Sequence, residues 1–243
     1  MIEATMHFPK GADAATLAEA LKALPEPIRP VYFAEDEGKI IKANRLDDDA
    51  RFQAFLKDNA FGFFLYADKE TCIAISMSTV EYARVTLYLP ERLSDELALT
   101  LFQCLADYKP VFGYACEYDE YKHRNRYYIT FGKNHIEDWI GRRLEKYIPG
   151  VYWYTLLSDG LLAQHGVKLG DLAAEAVTCE TLGDESLHLL KFFENSKSWG
   201  DNADRLDALC ERTEGLFSRR VVESAVVGVT NFLEYDEVIA KWR

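Results

Sequence analysis

The chain has 243 residues, with 28 Lys plus Arg against 40 Asp plus Glu and a formal net charge of −12. So acidic a chain lacks the basic footprint that nucleic-acid phosphates or anionic lipid require. Its 49% hydrophobic and 13% aromatic content excludes a disordered acidic tail and leaves a folded protein of one large domain or two small ones.

The start, Met1 to Lys10, contains Glu3 and no long apolar run, so no secretory leader is expected. Residues 2–8 alternate loosely and predict a strand. Residues 14–24 carry apolar side chains at helical spacing, and Pro25, Pro27 and Pro30 then stiffen a connection. Residues 31–34 predict a short strand. Asp47 to Asp49 precede a helix over 50–59, where carboxylates at the N-terminus complement the helix dipole. Strands are predicted at 61–67, 71–76 and 84–89, with a turn at Asp68-Lys69-Glu70. The most apolar region, 73–89, is broken by Glu81 and Arg84, and no stretch reaches the ~18 apolar residues of a membrane helix.

Residues 94–107 predict a helix capped by Ser94, with Leu97, Leu101 and Leu105 on one face. Strands at 111–117 and 127–131 flank a polar loop, 118–126. Asn134 and Glu137 form a capping-box pattern that predicts a helix over 134–147, stopped by Pro149-Gly150. An aromatic strand follows at 151–156. Helices are predicted at 159–167, 170–176 and 201–214, and strands at 177–182 and 186–193. Helices alternate irregularly with hairpins. The expected class is therefore α+β, a mostly antiparallel sheet flanked by helices, in one domain over 1–243 with a subdivision near 150 left open. Cys72, Cys104, Cys116, Cys179 and Cys210 form no CxxC pair. They read as free thiols of a protein in the reducing cytoplasm.

Phosphate-binding loops, nucleophile elbows and zinc-protease motifs are absent. His135-Ile136-Glu137 matches half of a zinc deaminase signature, without its PCxxC partner. The densest polar cluster runs from Glu117 to Arg126. Its mixed signs suit first a solvated loop laced with ion pairs. Tyrosines among charges suit second a partner surface, and paired carboxylates third an acid/base or metal site. A second cluster, Lys197 to Asp204, holds Trp199 in polar surroundings, with Asp201 as helix N-cap or as part of an interface. Trp153 and its tyrosine neighbours read as core.

Residues 139–153, from Trp139 through Arg142-Arg143-Leu144 and Pro149-Gly150 to Tyr152-Trp153, continue through Leu156-Leu157-Ser158 to His165-Gly166-Val167. This segment resembles a bacterial family of type VI secretion immunity proteins, and the likeness covers about residues 112–167. Overall length and acidity agree. The shared motif is structural, and no functional residue is carried over from it. The resemblance implies a cytoplasmic, non-catalytic protein that binds and neutralises a cognate toxin.

An acidic protein can steer onto a basic toxin. From 159 to 214 the chain holds 12 acidic and 5 basic residues, more than half of the surplus. The expected partner-binding residues are Glu117, Tyr118, Asp119, Glu120, Tyr121, Trp199, Asp201, Asp204 and Asp207. No cofactor, metal, nucleic acid or membrane is expected, and homo-oligomerisation stays open. The rival reading is a metal-dependent hydrolase built on Glu117, Asp119 and Glu120, and a third is an adaptor whose partner is not a toxin.

Overall fold

The computed structural model describes residues 1–78, 82–183 and 185–243. Glu81 and Asp184, which enter the apolar-run and charge readings, lie outside the described residues. In chain order the strands are Ile2–Phe8 (β1), Tyr32–Ala34 (β2), Gly62–Tyr66 (β3), Cys72–Ser76 (β4), Ala83–Leu89 (β5), Phe112–Glu117 (β6), Arg126–Phe131 (β7), Asn134–Trp139 (β8), Tyr154–Ser158 (β9), Thr178–Leu182 (β10) and Leu187–Lys191 (β11). The helices are Ala14–Leu21 (α1), Asp49–Asp58 (α2), Leu97–Leu105 (α3), Tyr118–Asn125 (α4), Asp159–His165 (α5), Leu169–Ala173 (α6), Trp199–Arg212 (α7), Arg219–Ala225 (α8) and Phe232–Ile239 (α9).

Nine strands form one sheet in the order β10-β11-β9-β6-β1-β5-β4-β3-β2, antiparallel throughout. The α+β expectation holds. The composition shift near residue 150 leaves the sheet unbroken, since β9, β10 and β11 extend the sheet begun by β1. Successive side chains of a strand point to opposite faces. Ala4, Met6 and Phe8 of β1 therefore join Val85, Leu87 and Leu89 of β5 on one face. The apolar sides of α1 (Leu17, Ala18, Leu21) and α3 (Leu101, Phe102, Leu105) cover that face, all within one continuous core. Glu3, Thr5 and His7 take the opposite face, yet they are buried too. A strand with polar residues buried on its second face needs something folded over it.

That covering comes from the region where sequence and structure differ most. Residues 118–126 are a helix rather than a loop, up to Asn125. Asp119 and Glu120 occupy the first turn of α4 and Lys122, His123 and Arg124 the last, which complements the helix dipole at both ends. Pairs at Asp119–Lys122 and Glu120–Arg124 add local support at helical spacing.

Residues 134–147 are not a helix. Gly132, with φ 61°, makes the tight turn that lets β8 fold back on β7, Phe131 opposite Asn134 and Arg126 opposite Trp139. Glu137 pairs across the hairpin with Arg126 at 2.7 Å instead of closing a capping box. The hairpin packs Tyr127, Ile129, Phe131 and Ile136 against a second core of Phe217, Val222, Val226, Tyr235, Ile239 and Trp242 from the C-terminal helices and the chain flanking them. After β8 the chain runs without regular structure to β9, which starts at Tyr154 rather than at residue 151. Tyr152, Trp153 and Tyr154 are buried, as expected of core aromatics.

Of the expected caps, the acidic triplet before α2 holds, and those of α3 and α7 differ. Asp48 caps α2 through the Arg51 amide at 3.1 Å. Ser94 does not cap α3 through its side chain, and the residue before α3 is Glu96. Ser198 precedes α7, which places Asp201 in its first turn rather than at the cap. Cys72, Cys116 and Cys210 are buried free thiols, Cys104 is half-buried and Cys179 is exposed. No helix among the described residues is long and apolar enough to cross a membrane.

Candidate functional site

The two polar clusters singled out in the sequence lie about eighty residues apart and meet in space. His123 of α4 packs its ring 5.5 Å from that of Trp199 and places Nε2 3.0 Å from Asp207 of α7. Arg124 Nη1 reaches the other Asp207 oxygen at 2.9 Å, and Arg124 also contacts Glu120 at 3.2 Å. Glu120 and Arg124 are 0% and 3% exposed, so this ion network is an internal tie between the two helices.

Burial pushes the Glu120 carboxyl up to about 7, against the opposing charge and hydrogen bonds of Arg124. Burial raises the Asp207 carboxyl as well. The His123 hydrogen bond and the Arg124 charge outweigh it and leave the group below its ordinary value.

Of the nine residues expected at a partner surface, Glu120 and Asp207 are therefore corrected: both face inward and are occupied by Arg124. Asp119, Asp201 and Asp204 are exposed, while Glu117, Tyr118, Tyr121 and Trp199 are half-buried. The carboxylates required by the hydrolase reading do not converge. Glu117 binds the Met1 ammonium, Asp119 binds Lys122 and Glu120 binds Arg124. Among the described residues no three His, Cys, Asp or Glu side chains gather as a metal site.

A second site escaped the sequence reading. On the polar face of the sheet, Glu3, Thr5 and His7 of β1 stand in register with Tyr88, Thr86 and Arg84 of β5 and with Cys116, Tyr114 and Phe112 of β6. Tyr118 and Tyr121 of α4, Trp139 at the end of β8, and Arg142, Pro149 and Tyr152 beyond it close over this face. They leave a cleft of about 270 Å³. One wall is a ladder of stacked rings: Tyr152 to Tyr114 at 4.6 Å, Tyr114 to Tyr121 at 5.5 Å and Tyr121 to Trp139 at 5.4 Å. The Arg142 guanidinium lies 5.6 Å from the centre of the Trp139 ring.

Tyr114 donates its hydroxyl to Glu3 Oε1 at 2.5 Å, and Thr5 donates to the same oxygen at 3.4 Å. Burial raises the Glu3 carboxyl, opposed by these bonds and by the charges of Arg84 and Arg142. Burial, reinforced by the Arg84 charge, lowers His7 to about 3 and keeps its ring neutral. His7 Nδ1 is buried without a hydrogen-bond partner among the described residues. A second hollow of about 490 Å³ adjoins the first and shares His7, Arg84, Trp139 and Arg142 with it. The period-two alternation of Glu3, Thr5 and His7 was the available signal. Polar residues at alternate positions read as a solvent face until the fold shows what covers them.

No protein-family model matches the chain, and no curated protein matches it. Among solved structures, a Pseudomonas aeruginosa T6SS protein aligns with all of this chain and 73% of its own length, at 12% identity and a TM-score of 0.47.

Proposed function

We propose that this protein binds and neutralises a cognate protein toxin by stoichiometric association, without chemistry of its own. The observation that carries the reading is the joining of α4 and α7 through His123, Trp199 and Asp207. It brings the two charged clusters into one region of the molecule. Asp119 of α4 and Asp201 and Asp204 of α7 are exposed and Trp199 is half-buried, with Asp119 paired to Lys122 and Asp204 to Arg220. Acidic groups around a half-buried aromatic suit a basic partner: the charges speed encounter and the ring supplies an anchor. The resemblance of residues 112–167 to type VI secretion immunity proteins supports the same reading.

The test is co-expression with the product of the adjacent gene, assayed first for toxicity when expressed alone, followed by size exclusion of the mixture. Rescue of growth and a 1:1 complex are expected. Undiminished toxicity with no complex overturns the proposal. Asp201→Lys with Asp204→Lys is expected to slow association about tenfold at low salt, with the effect fading as salt rises. Asp207 is unsuited to this experiment because its reversal would break the internal ion network.

A further inference from the structure

The cleft over β1 shares Tyr118 and Tyr121 with the expected partner surface, but none of Asp119, Asp201 and Asp204, which carry the toxin reading, lines it. The chain has fourteen arginines, and nine of them pair with a described carboxylate. Of the other five, Arg84, Arg142 and Arg143 gather around this cleft and the adjoining hollow. Guanidinium groups without an ion-pair partner among the described residues cluster here in a protein of net charge −12, and Glu137, Asp138 and Glu145 also line the adjoining hollow. Glu3 takes both of its hydrogen bonds on Oε1, and Oε2 has none among the described residues. His7 is 8% exposed, and its Nδ1 has no partner among the described residues. Buried polar atoms are almost always satisfied, so the unfilled His7 ring nitrogen marks this cavity as a polar one, and the second Glu3 oxygen and the exposed guanidinium groups of Arg84 and Arg142 stand open to it.

We propose that this cleft binds a small zwitterion with a planar body, a free aromatic α-amino acid. Its carboxylate meets Arg142 and Arg84, its ammonium meets Glu3 Oε2, and its ring extends the Tyr121–Trp139 stack.

The competing ligand classes fit less well. A simple anion would answer the arginines but meet the Glu3 carboxylate. A metal ion would find Glu3 and His7 but be repelled by Arg84 and Arg142. A nucleotide places phosphate against Glu3. A zwitterion satisfies both signs at once. Arg binds a carboxylate in a planar fork, and an ammonium among tyrosine rings gains from their faces.

The site is tested by calorimetry and by Trp139 fluorescence with L-phenylalanine, L-tyrosine and L-tryptophan. The comparison probes are 3-phenylpropionate, which lacks the amine, and phenethylamine, which lacks the carboxylate. Saturable binding of at least one of the three amino acids is expected, with Kd of about 1 mM or tighter. Loss of either charged group should weaken binding roughly tenfold or more.

Arg142→Met is expected to weaken binding to the same degree. Arg142 is exposed, so the variant should fold, which circular dichroism checks. Glu3→Gln keeps an acceptor for Tyr114 and should lose discrimination in favour of the amine. Absence of saturable binding by all three amino acids up to about 10 mM overturns the proposal. Equal affinity for 3-phenylpropionate and phenylalanine overturns it too, as does unchanged binding in Arg142→Met. None of these outcomes bears on toxin neutralisation, so the two readings fail separately.

Discussion

Arg124 lies 2.9 Å from Asp207 across 83 residues of sequence, and this contact binds α4 to α7. Removing one partner of a buried ion pair leaves the other charge uncompensated, which costs about 3 kcal/mol or more. Asp207→Ala should therefore lower the urea midpoint strongly. Asp204, three residues earlier on the same helix, has a fully exposed side chain paired with Arg220. Asp204→Ala should leave the midpoint in place. Similar losses from both variants would mean that the Arg124 pairing contributes little.

Glu120 gives the same network a pH dependence. Its folded carboxyl titrates near 7, above the ordinary 4.5, so the folded state holds a proton that the unfolded state has released. That contribution is complete below about pH 4.5 and is lost as pH rises through 7. Glu120→Gln cannot lose it. The thermal midpoint of the variant should rise relative to that of the native protein between about pH 5 and about pH 8. A difference that stays flat over this range would contradict the assignment.

His7 acts in the opposite direction. Its folded pKa of about 3 lies below the ordinary 6.5, so the unfolded chain binds the proton more readily. Stability from this group is complete above 6.5 and is lost as pH falls toward 3. Near pH 5 the loss is about 2 kcal/mol, which His7→Leu should not show. Chemical denaturation of both proteins at about pH 5 and about pH 7.5 checks the sign.

Gly141 joins the β7–β8 hairpin to the C-terminal core. It has φ of 70°, and a Cβ at this position would overlap the Phe217 ring. Left-handed strain and overpacking should together make Gly141→Ala cost about 3 kcal/mol. Gly132 also has positive φ, but no atom stands near its Cβ position. Gly132→Ala should cost only the backbone strain, about 1–2 kcal/mol. Thermal unfolding of the two variants separates crowding from strain.

The strands that alternate and the helices with a continuous apolar face were legible in the sequence. Val85, Leu87 and Leu89 announced β5, and Leu97, Leu101 and Leu105 announced α3, because each pattern reports burial on one face of a local element. Residues 134–147 misled for the same reason. Trp139, Ile140 and Leu144 have helical spacing, but a turn at Gly132 and the distant C-terminal helices reward a hairpin instead. Local pattern cannot register a partner a hundred residues away. The last 29 residues gave no expectation, and α8 and α9 complete that second core.

The net charge of −12, the absence of known catalytic motifs and the α+β class followed from the sequence alone. Tertiary structure decided which charges face water. It turned Glu120 and Asp207 inward to Arg124 and left Asp119, Asp201 and Asp204 outside. It also covered Glu3 and His7 with α4 and Trp139, converting an ordinary polar strand face into a cleft. Composition counts charges. Whether a charge is solvated, paired or left open to a ligand depends on what folds against it, and only long-range packing fixes that.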